Sequence, residues 1–153
     1  MDEQETELVR RPSIEEVHLR YSDMDARLKQ QLSANFPWMH WERVQDVNRA
    51  ACADFDAFKN VAESWTLGIW GTEGNMPDAD WARAQQIFAD VTGEFGFTPP
   101  RTIVDRSGNH RVTTADQYGA TYNFGSGKRT SFSGETGCHL PQTEQDKQAP
   151  PPQ

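Results

Sequence analysis

The chain has 153 residues, of which 35% are hydrophobic and 25% charged, and a formal net charge of −8. That length fits one domain of ordinary size. Fifteen Lys and Arg scattered among twenty-three acids exclude the clustered positive charge with which proteins hold nucleic acid or anionic membranes.

No apolar run approaches the roughly 18 residues of a spanning helix. No charged n-region and apolar h-region open the chain, so it reads either as cytoplasmic or as the mature form of an exported protein. The opening "MDEQETELVRRP" is polar and without apolar period, which predicts a flexible leader over residues 1–12. "SIEE" follows as a capping box, with Ser13 placed to accept from the backbone of Glu16. Val17, Tyr21, Met24, Leu28 and Leu32 then recur every three or four residues, one stripe of a helix that Asn35 and Pro37 end.

"WMHWERVQDV" is strand-like, and "NRAACADFDAFKNVA" predicts a loop with a helical turn. "ESWTLGIWG" is the clearest strand. Strict alternation places Trp65, Leu67 and Ile69 on one face and Thr66, Gly68 and Trp70 on the other. A second helix carries Trp81, Ala84, Phe88, Val91 and Phe95 at helical spacing. Asp78 and Asp80 sit in its first turn and Gly96 closes it. From residue 101 the period changes to two: "RTIVDR", "RVTTADQYGATYNF" and "RTSFSGE" read as strands joined by glycine turns, with Ala120, Tyr122 and Phe124 on one face. The expected fold is α+β, two helices packed on one face of an antiparallel sheet of about five strands. The domain spans 13–141, and 142–153 is expected to be a disordered, proline-ended tail.

Cys52 and Cys138 are the two cysteines, 86 positions apart. A zinc site wants four ligands in short-spaced pairs, and His18, His40, His110 and His139 are isolated. His139 follows Cys138 directly, but neighbours on a strand point to opposite faces, which argues against a thiol–imidazole dyad. A disulfide and a pair of free core thiols remain, and the disulfide is favoured. It would imply export and could stabilise by roughly 4–5 kcal/mol through unfolded-chain entropy.

Four segments in order, "RPSIEEVHLRYSDM", "FPWMHWERV" with Cys52 soon after, "ADWARAQQIFADVTGEFGF" and the terminal "GCHLP", resemble the LppA-like lipoproteins of mycobacteria and related actinobacteria. The resemblance covers about residues 11 to 141. It implies a mature domain exported across the membrane and tethered through a lipidated cysteine expected upstream of Met1. It brings no catalytic residues.

Candidate chemistries fail on spacing. Of the three D-x-D pairs, Asp23/Asp25 reads as a solvated helix face and Asp78/Asp80 as a helix start. Asp54/Asp56 retains a small case for a divalent cation. "FGSGKRT" lacks the phosphate-loop pattern and reads as a hairpin turn. Ser131, Ser133 and His139 have no triad spacing. The aromatics are the better lead. Helices on one face leave the other sheet face uncovered, and Trp70, with Trp38 and His40 around the turn after the first helix, are the candidate binding residues, against ordinary packing. The expected function is binding or interaction in the cell envelope, without catalysis, metal or organic cofactor. The partner would be an envelope protein, lipid or carbohydrate, neutral or basic, met by a monomer. The alternative is a small extracytoplasmic hydrolase or carbohydrate-active enzyme.

Overall fold

The computed structural model describes residues 3–148. Its elements are α1 (Glu3–Arg10), α2 (Ile14–Asn35), β1 (Glu42–Gln45), β2 (Asn48–Ala51), a 3-10 turn at Asp56–Phe58, β3 (Glu63–Glu73), α3 (Asp78–Glu94), β4 (Arg101–Arg106), β5 (Asn109–Ala115), β6 (Thr121–Ser126), β7 (Arg129–Glu135) and α4 (Gln142–Gln148). The fold is α+β. Seven antiparallel strands, rather than about five, form one sheet in the order β1-β3-β7-β6-β5-β4, with β2 also paired to β3. The strand-like "WMHWERVQDV" holds β1, and the run "RVTTADQYGATYNF" divides into β5 and β6. The other added strand, β2, lies in the segment expected as a loop with a helical turn and is four residues long and fully exposed, so no buried alternation announced it.

The two long helices start and stop where their residues dictate. Ser13 Oγ accepts from the Glu16 N–H at 3.2 Å and α2 ends at Asn35, before Pro37. After α3, Gly96 takes a φ of 92° that an L side chain rarely adopts. Val17, Tyr21, Met24, Leu28 and Leu32 of α2 and Trp81, Ala84, Phe88 and Val91 of α3 join Val112, Ala120, Tyr122, Phe124 and Phe132 of the sheet in one core. Phe88 and Phe124 stack with centroids 5.2 Å apart, and burying such rings is the largest favourable contribution in a core of this size.

The expected flexible leader is corrected. Residues 3–10 are helical because Leu8, fully buried, finds a partner that local sequence does not announce. That partner is a second apolar cluster of Cys52, Phe58, Ala62 and Leu140. Glu5 Oε2 also accepts from the Ala57 N–H at 2.6 Å. The expected disordered tail is corrected over 142–148, which is α4. It buries no residue and is held by the Gln142 N–H donating to Glu15 at 2.7 Å and Gln145 Nε2 donating to the Arg11 carbonyl at 2.6 Å. Residues 1–2 of the leader and the proline-ended tip, 149–153, lie outside the described residues.

Strict alternation along β3 is also corrected. From Thr66 to Ile69 β3 takes three steps where β7 takes two, Glu135 to Ser133. The extra residue is a β-bulge centred on Gly68, whose φ is 83°. A Cβ there would collide with the Gln45 carbonyl, so the position accepts only glycine without strain. The bulge reverses the parity of the strand. Trp65 and Leu67 face the core as expected, but Ile69 swings to the open face, and Trp70 and Thr72 turn towards the helices.

Candidate functional site

Trp70 is therefore under the helices and not on the open face. Its ring packs against the core, with Lys29 Nζ 3.3 Å from the centroid and the Arg43 guanidinium carbon 4.2 Å from it. The indole N–H lies near the Asp25 carboxylate but short of hydrogen-bond geometry. Trp38 is half-buried over Gly74, and His40 is exposed with its backbone N–H donating to Thr72 Oγ1 at 2.8 Å. None of the three lines either of the two cavities described below. Their placement follows from the bulge and from the turn that hands α2 to β1.

Asp25 is buried rather than solvated. It stands four residues after Tyr21 and three before Leu28, on the apolar stripe itself. Tyr122 Oη donates to it at 2.8 Å. Burial pushes its carboxyl up to about 6, against the opposing pull of the Tyr122 hydrogen bond and the nearby Arg43 and Lys29 charges. A second tyrosine, Tyr21, donates to Asp116 from the same core. These polar contacts tie α2 to the sheet.

Cys52 and Cys138 are bonded, with Cα atoms 5.9 Å apart. Asp54 Oδ2 lies 3.6 Å from each sulfur. A metal would need thiolates there, and bonded sulfurs offer none. His139 is buried, its Nδ1 engaged with the Pro12 carbonyl at 2.8 Å, and burial lowers its pKa. It is spent on structure, far in role from Ser131 and Ser133, which are on the open sheet face. Asp78 begins α3 and accepts from Ser107 Oγ, the Gly108 N–H and His110, each at 2.8 Å, which hold its carboxyl down at about 2. His110 bridges Asp78 and Asp105 with its two nitrogens and stacks on Trp81. Ser107 bonds the carboxylate and not the imidazole, so the set clamps α3 to the β4–β5 hairpin instead of activating a nucleophile.

The open face of the sheet holds the arrangement that sequence reasoning missed. Register aligns Gly71, Ser131, Gly125 and Arg111 side by side across β3, β7, β6 and β5. The next row is Ile69, Ser133, Asn123 and Thr113. A glycine and a serine leave the middle of the first row almost without side chains, and a cavity of about 430 Å³ opens above Gly125 and Ser131, while Gly71, at the end of the row, is buried beside Val44 and Arg129. A Cβ on Gly125 would lie 2.8 Å from the His110 carbonyl, and one on Gly71 would lie 2.9 Å from Val44, so neither position accepts a larger residue at no cost. Arg111, Lys128 and Arg129 rim the cavity. Arg129 pairs with Glu73 at 3.2 Å. The side chains of Arg111 and Lys128 have no hydrogen bond or ion pair with any described residue. The segment "FGSGKRT" supplies much of this floor and rim as the β6–β7 hairpin. Its signal was the outward alternation of Asn123 and Gly125 against inward Tyr122 and Phe124.

A second cavity, of about 550 Å³, lies beside the disulfide between α1, Phe55 and Tyr118. Its cation is already used: Arg11 donates to the Cys138 carbonyl at 2.9 Å and sits over the Phe55 and Tyr118 rings.

Residues 1–142 match the LppA family, described as a lipoprotein confined to pathogenic Mycobacterium. The chain belongs to the LppA family. The crystal structure of LppA from Mycobacterium tuberculosis is similar at a TM-score of 0.76 and 17% identity, over 95% of this chain and 90% of that one. A DUF4853 family protein from Actinomyces odontolyticus ATCC 17982 is similar at a TM-score of 0.65 and 15% identity, over 86% and 71%. At these identities the likeness is one of fold. No curated protein matches the chain. The lipoprotein family connects this LppA-family chain with the cell envelope, and among the described residues no helix is long and apolar enough to cross a membrane.

Proposed function

We propose that this LppA-family chain is the extracytoplasmic domain of a lipid-anchored protein. It binds an envelope component on its open sheet face and does no chemistry on it. The observation that carries this reading is the cavity over Ser131 and Gly125, rimmed by Arg111 and Lys128, whose side chains have no partner among the described residues. Its inward-facing groups are hydroxyls, an amide, guanidinium and ammonium, which hold a ligand but do not exchange protons with it near neutral pH. His110 contributes backbone to the cavity, while its ring is engaged by Asp78 and Asp105. The family's link to lipoproteins supports the location.

Cosedimentation of the purified chain with insoluble actinobacterial cell walls tests the reading. The wild type is expected to pellet with the walls, and Ser131→Trp, which fills the cavity, is expected to stay in the supernatant while melting normally. Trp70→Ala, if it folds, is expected to pellet like the wild type. A Ser131→Trp protein that pellets undiminished would overturn the assignment to this face.

A further inference from the structure

We propose that the hairpin end of this cavity is a phosphate subsite and that the ligand is a phosphorylated sugar; this rests on the binding reading above. The charge balance is local and specific. Of the three rim cations, Arg129 is neutralised by Glu73 at 3.2 Å. Arg111 and Lys128 are not paired with any described residue. The uncompensated charge is therefore about +2, and it matches the charge of roughly −1.5 to −2 on a phosphate monoester near neutral pH. A chain of net charge −8 repels anions at long range. Two unpaired cations beside one cavity mark where that repulsion is reversed at contact.

The rest of the cavity supplies what a phosphate alone does not need. Arg111 stands beside Gly125: a Cβ built there would be 3.6 Å from the arginine's own Cβ. The missing side chain lets a ligand come down to the strand next to the guanidinium, whose fork suits phosphate oxygens. One row along the strands, Asn123 and Ser133 lie opposite each other and offer neutral donors and acceptors spaced for hydroxyl groups. The volume of about 430 Å³ lies within the range of small-ligand sites and exceeds what a bare anion fills. An acidic peptide would meet the same cations, but the floor offers it no apolar pocket for alternate side chains.

The probe is α-D-glucose 1-phosphate, titrated by calorimetry into the full chain, with glucose and inorganic phosphate as parallel arms. Saturable binding of the sugar phosphate is expected, at least about tenfold tighter than glucose, which is the factor set by one charge-assisted contact. Inorganic phosphate is expected to bind more weakly than the sugar phosphate. Arg111→Ala and Lys128→Ala should each weaken binding by about tenfold with unchanged melting, and added salt should weaken the wild type more than either variant. Binding of glucose as tight as that of its phosphate, or no loss in either variant, would overturn the phosphate subsite. Equal affinity for inorganic phosphate would overturn the sugar. No saturation up to about 10 mM would overturn the ligand class. In that case the Ser131→Trp result with cell walls decides separately whether the face binds at all.

Discussion

The two faces of one sheet are built from opposite materials. The covered face carries Tyr122, Phe124, Phe132 and Val112 against α2 and α3, all within 1% of full burial. The open face carries Gly71, Ser131, Gly125, Asn123 and Ser133, flanked by arginines. Side-chain volume is concentrated where it excludes water and removed where the strands remain accessible. The covered face thus accounts for stability. The open face contributes little to it and is free to be shaped for contact.

The largest expected effect lies on the covered side. Phe88 is fully buried and stacked on Phe124, so Phe88→Ala should cost about 3–5 kcal/mol in urea unfolding. A loss under roughly half a kcal/mol, the size of an ordinary surface change, would break the division between the faces.

Next is the disulfide, which anchors the segment after β7 to the loop after β2. Cys138→Ser should lower stability by about 2–4 kcal/mol, and intact mass under non-reducing conditions should be two protons below the reduced chain. Two alkylatable thiols in oxidised, freshly purified protein would contradict the bond.

Asp25 sharpens the comparison because it is a charge placed on the wrong side. Its carboxyl is raised from 3.8 to about 6, so between these values the folded chain holds a proton that the unfolded chain has released. Stability contributed by this group is full below pH 4 and falls as pH rises to about 6, by up to about 3 kcal/mol. Asp25→Asn keeps an acceptor for Tyr122 and removes the ionisation. It should melt higher than wild type at pH 7.5, with the gap closing towards pH 4. A variant that is less stable at both pH values would mean that Lys29 and Arg43 outweigh the burial. The smallest effect is on the open side: Arg111→Ala should change stability by no more than about 0.5 kcal/mol.

The covered face was readable because it is periodic. Helical spacing found α2 and α3 to within a residue or two, and period-two alternation found β4, β7 and the single run that divides into β5 and β6. Three things were not readable, each for a physical reason. Leu8 shows no period by itself, and α1 forms because a distant cluster buries that one side chain. The exposed strand β2 is held by backbone pairing to β3, which leaves no hydrophobic mark. Trp70 was misplaced because a single bulge at Gly68 inverts a strand, and a glycine in a strand says only that something departs from regularity. The cavity itself depends on register among four strands, which brings Ile69, Ser133, Ser131, Gly125 and Arg111 around one space from positions as far apart as 64 residues.

The central claim is that recognition belongs to the open face, and two lysines report on it directly. Lys128 rims the open cavity, while Lys29 projects from α2 over Trp70 on the covered side. Acetylation of both lysines, followed by peptide mass spectrometry with and without bound actinobacterial cell walls, measures which side is shielded. Slower labelling of Lys128 with unchanged labelling of Lys29 is the predicted result; protection of Lys29 with Lys128 still fully reactive would contradict it.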